Sequence, residues 1–512
     1  MYSHGHVRIA GVRAKRVRRR TIRMLKIAIL GFGREGKSVF QFLQKRGLTR
    51  INTQIDADKK PEIWILDKNP KFKLPDTINR MGIKIQAGKN YLKGLNQFNV
   101  VYRSPGVPYN LPEIQAYEKR ASAFGSGNAN APTRILTSAT ALFFNEAEKI
   151  GCKVIGITGT KGKGTTATLL YKILKACNKP VYLAGNIGKP AIELLSKISI
   201  NQRESLPAGR QEYKSVSPII ILELSSFQLQ DLKKSPDIAV ILDIFPDHLD
   251  AHKNLSEYFD AKTNIAKYQK KSDKIFYFAD NKYSKWIAQK SQAKKYPVDS
   301  RHSHTFADLH YGLKIAGEHN FKNAVMAATV ALSLGCQREK IVKVVKNFKG
   351  NEHRLELTRV IRINQSYPHK SVSIRFYNDS ASTNPQTAAA AIRAFKEPKI
   401  LIAGGKDKGL NYFPLAKALK NSNTKLVILF GENKNKIAKA ITRIKNNELR
   451  IMEVKNLKQA VEAAYRTAKS LIHNSYFIIH VIFSPASASF DMFKDYADRG
   501  EKFKKLVKEL KH

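Results

Sequence analysis

Three cysteines in 512 residues, Cys152, Cys177 and Cys336, are too few and too scattered for a disulfide framework or a thiolate metal site. A reducing compartment, the cytoplasm, is the expected setting. The longest apolar run, around Tyr476–Phe483, is far too short to cross a bilayer, so no membrane span is expected. There is no internal repeat and no sustained heptad pattern. Acidic residues are the other scarcity: 41 Asp and Glu against 90 Lys and Arg leave a formal net charge of +49. Part of that excess is local, because residues 1–23 carry eight Lys and Arg, no acid, and no apolar core long enough for a secretory signal. A disordered tail, or translation from Met24 directly before the first strand, is the expectation; a basic arm for nucleic acid or a targeting segment is the alternative. The remaining charge is spread along the chain, favouring anionic substrates and non-specific polyanion binding without naming a partner. No motif that reads RNA or DNA appears, so no specific nucleic-acid partner is expected.

What is present begins with 43% hydrophobic residues, the content of a globular protein, and a length sufficient for about three domains. The organising stretch is Val154 to Thr168, VIGITGTKGKGTTAT. A β-branched strand enters a loop with Gly156, Gly159, Gly162 and Gly164, and Thr165 opens a helix with Leu169, Leu170, Ile173, Leu174 and Cys177 on one stripe. Glycines let backbone N–H groups converge on one anion, the helix N-terminus adds partial positive charge, and Lys163 adds a full one. The spacing departs from the common phosphate-loop pattern, with Ile157 in place of its first glycine and Gly164 in place of its hydroxyl residue. The order strand, glycine loop, lysine, helix nevertheless reads as a nucleotide-phosphate site.

Upstream, the strand Leu25–Leu30 runs into Gly31-Phe32-Gly33-Arg34-Glu35-Gly36 and a helix through Leu43; a second strand, Ile63–Leu66, ends at Asp67. This is a Rossmann-like arrangement, although Gly36 to Asp67 is longer than the usual dinucleotide spacing, which disfavours a dinucleotide oxidoreductase. A third strand at Asn99–Tyr102 leads to the turn Ser104-Pro105-Gly106. Ala121–Pro132 and Asn201–Ser217 read as loops, Pro218–Leu224 and Ile238–Leu242 as buried parallel strands, and Leu255–Lys271 and Asn320–Leu334 as helices. Beyond a hinge at Gly350, strands at Ile400–Ala403, Leu426–Phe430 and Tyr476–Phe483 form a further α/β unit.

Two strand ends carry acid. Glu223 is the only charge in IIILELSS, where an α/β nucleotide site would hold Mg²⁺; the alternative is a buried acid with a basic neighbour. The second strand end, Asp243-Ile244-Phe245-Pro246-Asp247-His248-Leu249-Asp250, suits a divalent cation or a phosphate, with His248 the best single ligand; the alternative is a turn rich in capping residues.

Taken together, GTKGKGTT, ELSSFQL, PDHLDAH, GEHNFKNA, EHRLE and NDSASTNP stand in the order seen in the Mur ligases, which the chain resembles from Leu25 onward. SPASASFDMFKDYADRG, Ser484–Gly500, is most similar to the member that adds D-glutamate. The resemblance implies an α/β protein of three domains: a Rossmann-like uridine-nucleotide domain at 24–141, a central P-loop-type ATPase with a mostly parallel sheet at 142–350, and a C-terminal Rossmann-like amino-acid domain at 351–512. It implies an ATP-dependent ligase of peptidoglycan precursor synthesis. The alanyl carboxylate of UDP-N-acetylmuramoyl-L-alanine is phosphorylated, and the amine of D-glutamate displaces phosphate from the acyl phosphate. The resemblance assigns the catalytic positions to Lys163, His248, Lys262 and Arg354, and ATP to Gly159, Thr160, Lys161, Gly162, Lys163, Gly164, Thr165, Thr166, Asn320, Asn323, Arg354 and Asp379. It assigns Mg²⁺ to Glu223, His248 and Lys262, the last as a carbamate, with Thr165 supplying the hydroxyl that Gly164 lacks. The uridine substrate falls to Gly31, Gly33, Arg34, Gly36, Asp67, Ser104, Pro105, Gly106, Asn186, Ser225 and Gln228, and glutamate to Thr383, Lys408, Ser489 and Tyr496. Asp243, Phe245, Ala381, Tyr496 and Lys68-Asn69 depart from residues common in the family. On residues alone Lys262 reads as an exposed lysine, and Lys408 equally as a solvated turn residue. A monomer is expected. A sister ligase for another amino acid or acceptor, and a basic nucleotide- or nucleic-acid-binding protein without catalysis, are the competing readings; the full set Lys163, Glu223, His248, Lys262 and Arg354 argues against the second.

Overall fold

The computed structural model describes residues 25–45, 61–74, 78, 82–123, 134–185, 190–195, 198, 217–245, 254–299, 306, 309, 313–315, 317–363, 372–444, 449–473 and 478–511. The basic tail, most of the loops expected at Ala121–Pro132 and Asn201–Ser217, Asn186, and the whole segment Pro246–His252 with His248 lie outside these residues. The chain divides into two compact units, Met1–Ala139 and Thr140–His512. No described helix is long and apolar enough to cross a membrane.

The first unit is built on five parallel strands in the order β3-β2-β1-β4-β5. These are β1 (Lys26–Leu30), β2 (Glu62–Asp67), β3 (Lys84–Ala87), β4 (Val100–Arg103) and β5 (Ile135–Ser138). Helices α1 (Arg34–Lys45) and α2 (Pro112–Ala123) accompany them. The strand order reverses between β1 and β4, where open α/β sheets hold ligands beyond the carboxyl ends. Gly31 (φ 76°) turns out of β1, and a Cβ on Gly36 would stand 2.1 Å from the Gly31 carbonyl oxygen, so only glycine lets α1 start so close.

Six parallel strands form the next sheet, in the order β11-β10-β9-β6-β8-β7. They are β6 (Lys153–Thr158), β7 (Val181–Gly185), β8 (Ile219–Glu223), β9 (Ile238–Ile241), β10 (Lys274–Phe278) and β11 (Lys294–Val298). With them come α3 (Ala139–Lys149), α4 (Lys163–Ala176), α5 (Ser226–Leu229), α6 (Leu255–Lys267), α7 (Lys282–Ala288), α8 (Glu318–Ser333) and α9 (Arg338–Asn347). All five residues of β8 are buried, as a parallel strand covered on both faces requires. Leu169, Leu170, Ile173 and Leu174 of α4 are fully buried in one core with Ala324, Ala327, Ala328 and Ala331 of α8, each large aliphatic contributing roughly 1.5–3 kcal/mol. Helix α6 ends at Lys267, short of the expected Lys271, because Tyr268 (φ −107°) leaves helical geometry.

The last sheet runs β12-β13-β17-β14-β15-β16: β12 (Glu356–Ile363), β13 (Val372–Asn378), β14 (Lys399–Ala403), β15 (Thr424–Leu429), β16 (Arg450–Glu453) and β17 (Ile478–Phe483). Its helices are α10 (Pro385–Arg393), α11 (Phe413–Lys420), α12 (Lys434–Thr442), α13 (Leu457–His473) and α14 (Tyr496–Glu509). Strand β12 alone is antiparallel, and its register slips between Leu357 and Arg359. Asn384 caps α10 by accepting from the Thr387 N–H at 2.9 Å, with Pro385 at the first helical position where its missing donor costs nothing.

Candidate active site

In the first unit the expected uridine residues meet at the strand-order reversal. The Ser104 hydroxyl donates to the Gly31 carbonyl at 2.7 Å, and Asp67 accepts from the Phe32 N–H at 3.0 Å and the Asn69 N–H at 2.9 Å. Asp67 therefore braces the glycine turn through its carboxylate.

In the second unit, β6 delivers the glycine loop and α4 begins at Lys163. Gly162 (φ 83°) has no room for a side chain: a Cβ there would lie 2.3 Å from the Asn323 amide oxygen. That close approach seats Asn323 of α8 on the loop. The Lys163 ammonium donates to the carbonyls of Gly159 (3.0 Å) and Thr160 (3.2 Å), so it is held within the loop. Thr160 is the loop's main anchor. Its N–H donates to the Asp243 carbonyl at 2.9 Å; its hydroxyl donates to the Phe245 carbonyl (3.0 Å) and accepts from the Phe245 N–H (2.9 Å). The Tyr258 hydroxyl of α6 lies 2.8 Å from the same oxygen. Lys262, one turn further along α6, is only 2% exposed, which overturns the reading as an exposed lysine. Its ammonium lies 4.8 Å over the Tyr258 ring and donates to the Gly159 carbonyl at 3.2 Å.

Glu223 ends β8 at 6% exposure, and its Oε2 has no hydrogen-bond partner among the described residues. The buried Thr166 hydroxyl on the first turn of α4 is also without a partner among the described residues. A buried carboxylate oxygen left unsatisfied is costly, and an oxygen-liganded divalent cation is the chemistry that would satisfy it. The donor set therefore fits Mg²⁺, with Thr166 beside Thr165 as a hydroxyl source.

A cavity of about 230 Å³ brings these groups together: Thr160 to Thr165, Glu223, Asn320, Asn323, Arg354 and Asp379 all line it. The central and last sheets thus contribute to one site. The residue before Arg354 and the one after it, His353 (φ 61°) and Leu355 (φ 45°), both adopt left-handed backbone, at roughly 1–3 kcal/mol each. Hydrogen bonds hold the turn: the His353 N–H donates to Glu356 at 2.9 Å and the Leu355 N–H to Asp379 at 3.2 Å. Asp379 also accepts from the Ser484 hydroxyl at 2.6 Å. His319, Asn351, Ser382 and Thr387 share the lining and were not singled out in the sequence; only their neighbours in GEHN, GNEHR and NDSASTNP signalled them.

Burial pushes the Asp379 carboxyl up to about 7, against the lowering by Ser484, the Leu355 N–H and Arg354. Its folded value thus lies above the 3.8 of an unfolded chain. Stability from this group is full below that value and is lost, by about 1.4 kcal/mol per unit at most, as pH rises towards 7. Asp379→Asn is expected to flatten this slope and leave the protein more stable than the native chain at pH of about 8. Urea unfolding across that pH series checks it; an unchanged slope rules it out.

Other expected residues make local contacts. Ser225 and Gln228, expected on the substrate, form a capping box on α5: the Ser225 N–H donates to Gln228 Oε1 at 3.0 Å, and the Gln228 N–H to the Ser225 hydroxyl at 3.3 Å. Asp243 pairs with Lys322 at 3.0 Å. Neither Thr383, Lys408, Ser489 nor Tyr496 lines the 230 Å³ cavity. A β-bridge between Lys406 and Ala488 brings the segments of Lys408 and Ser489 side by side, and the exposed Lys408 ammonium lies 5.6 Å over the Phe490 ring. Ser489 is buried, Tyr496 is 47% exposed, and the Tyr496 carbonyl accepts from the Ser380 hydroxyl at 2.7 Å. The fully buried Arg499 fastens this corner by donating to the carbonyls of Ser380 (2.9 Å), Ser487 (3.0 Å) and Ala488 (3.1 Å).

Residues 157–308 match the Mur ligase middle domain, and residues 362–472 the Mur ligase glutamate ligase domain. The chain is 32% identical to the UDP-N-acetylmuramoylalanine–D-glutamate ligase of Acetivibrio thermocellus, over 96% of this chain and 98% of that one. It is 30% identical to the enzyme of the same name from Clostridium tetani, over 95% and 97%. Among solved structures it resembles a UDP-N-acetylmuramate-alanine ligase of Thermotoga maritima (TM-score 0.48, 16% identity, 95% of this chain and 100% of that one). It also resembles a folylpolyglutamate synthase of Mycobacterium tuberculosis (TM-score 0.49, 16% identity, 71% and 93%).

Proposed function

The chain belongs to the Mur ligase family, on the branch of the UDP-N-acetylmuramoylalanine–D-glutamate ligases, and from that premise we propose how its residues join D-glutamate to UDP-N-acetylmuramoyl-L-alanine at the expense of ATP. The observation that carries the reading is the single cavity into which Lys163, Glu223, Arg354 and Asp379 converge. Two anions, a carboxylate and a terminal phosphate, have to be brought into contact, and fixed cations in a desolvated site offset their repulsion. Lys163 and the N–H groups of the glycine loop bind the terminal phosphates; Asn320 and Asn323 stand on the adenine side; Arg354 and Asp379 complete the nucleotide site from the last sheet. The alanyl carboxylate oxygen attacks the γ-phosphorus as the bond to ADP breaks. The amine of D-glutamate then attacks the acyl carbon, phosphate leaves, and the amine gives up its proton. Mg²⁺, held by Glu223 with Thr165 or Thr166, and by Lys262 and His248 on the family pattern, supplies charge neutralisation at the phosphates when bound.

Lys262 is assigned as a carbamate. Buried beside Gly159, an uncharged carbamate N–H keeps the donor that the ammonium now provides, and its carboxylate-like end adds a metal ligand. Lys262→Ala is expected to lose about 100-fold in turnover and to recover part of it in added acetate or formate. Full activity of that variant without a carboxylate would remove the assignment. The reading gives the uridine nucleotide to residues 24–141, ATP to 142–350 and glutamate, through Thr383, Lys408, Ser489 and Tyr496, to 351–512, in a cytoplasmic monomer. Phosphate release from Mg-ATP and UDP-N-acetylmuramoyl-L-alanine, with D-glutamate, L-glutamate and other amino acids offered separately, tests the whole. Release with D-glutamate alone is expected; no release with any of them ends the proposal.

A further inference from the structure

Lys322 stands between Asn320 and Asn323 in the first two turns of α8, yet unlike them it does not line the nucleotide cavity. Its side chain turns instead to two carboxylates. The ammonium donates to Asp243 at 3.0 Å and to Asp280 at 3.1 Å, and it lies 4.5 Å over the Phe278 ring. The three charged side chains are mostly covered, Lys322 at 15% exposure and the two acids at 20% and 19%, so solvent screens the triad weakly.

Each member sits at a junction. Asp243 follows β9, and its carbonyl accepts the Thr160 N–H of the glycine loop at 2.9 Å. Asp280 follows β10; the next residue, Asn281, caps α7 and donates to the Ile244 carbonyl at 3.2 Å. Ser284 of α7 donates to the Leu242 carbonyl at 2.7 Å. Lys322 directly precedes Asn323, whose amide fills the space that a side chain on Gly162 would need. One ammonium therefore joins the β9 exit, the β10 exit and α8, and the first and last of these touch the nucleotide loop. Charge matters here as much as the tether. Asp243 puts a carboxylate on the residue whose carbonyl holds the loop, where uncompensated negative charge works against a polyanion. Lys322 offsets that charge from outside the phosphate site.

On the reading of the glycine loop as the ATP site, we propose that Lys322 is a positioning residue for the ligase reaction. By clamping Asp243 and Asp280 it fixes the β9 exit beneath Thr160 and offsets the acid beside the loop, and so sets the affinity for ATP. Without the ammonium, two carboxylates face each other across the gap it leaves. Their repulsion moves the β9 exit away from Thr160, and the N–H groups of the loop lose their common aim. The loss falls on nucleotide binding and not on the limiting rate, because Lys163, Glu223 and Arg354 are unaltered once ATP is seated.

The test measures initial rates of phosphate release against ATP concentration, with UDP-N-acetylmuramoyl-L-alanine, D-glutamate and Mg²⁺ saturating, in the native full-length protein and its variants. Lys322→Met is expected to raise the KM for ATP about tenfold and to keep kcat within about twofold of native. Lys322→Arg retains a cation for both acids and should stay within about threefold of the native KM. Asp243→Asn removes the acid at almost constant volume, so adding it to Lys322→Met should bring the KM back to within about threefold of native. A purely structural contribution would be worsened by that second substitution, not relieved. An unchanged KM in Lys322→Met, a fall in kcat at constant KM, or no recovery in the double variant would overturn the proposal. Where Lys322→Met does not fold, Lys322→Gln decides: it is neutral but still donates to one carboxylate, and a KM at least about threefold above native is expected, an unchanged one counting against the role. Equilibrium titration with ADP separates the premise from the proposal. A native protein that binds no ADP ends both the ATP reading of the loop and the role of Lys322, whereas native binding with an unchanged variant KM ends the role of Lys322 alone.

Discussion

Lys163→Ala is expected to lower phosphate release by about 1000-fold, which is about 4 kcal/mol of lost transition-state stabilisation. The loop's N–H groups and the partial charge of the α4 N-terminus remain in the variant, so nucleotide still binds. What disappears is the full positive charge that the structure holds against the Gly159 and Thr160 carbonyls, inside the cavity shared with Glu223 and Arg354. Alanine is the best helix former, and position 163 opens α4, so the fold and the thermal midpoint are expected to stay unchanged. Single-turnover phosphate release, measured beside equilibrium ADP binding, separates the two effects. A variant that loses only nucleotide affinity and keeps its limiting rate would show that Lys163 binds without accelerating the transfer.

Glu223→Gln should cut turnover by a similar factor, about 1000-fold, while raising the thermal midpoint of the metal-free protein by a few degrees. The two effects have one cause. A buried carboxylate with an oxygen that no donor among the described residues satisfies is destabilising until a cation is bound, and the neutral amide of nearly equal volume removes that cost. The same substitution removes the negative charge that attracts the cation. Thermal unfolding in chelator reads the first effect, and activity against Mg²⁺ concentration reads the second, with the half-saturating concentration moved upward. A lowered midpoint together with an unshifted Mg²⁺ dependence would contradict the role given to Glu223.

The sequence carried the site where a residue type is forced by local chemistry. Gly162 and Lys163 follow a strand and open a helix, and Glu223 is the lone charge in an apolar strand; the fold places all three at one cavity. Arg354 and Asp379 were legible only through family resemblance, because nothing in EHRLE or NDSASTNP taken alone says that a turn with left-handed His353 and Leu355 leans on a buried carboxylate. Strand β12 escaped notice because its register slips after Leu357, which breaks the alternation that marks a strand. The spacing of Ser225 and Gln228 matches a family contact and equally a capping box, and the structure shows the capping box.

The Thr160 hydroxyl has a consequence for motion. One oxygen joins the glycine loop to the chain leaving β9, through both the N–H and the carbonyl of Phe245, and to Tyr258, over whose ring the Lys262 ammonium lies. The loop is therefore tied to both elements. A displacement of its apex by a ligand must drag the β9 exit and tilt the first turns of α6 with it, so that occupancy at one end of the site is felt as torque on the side chains at the other.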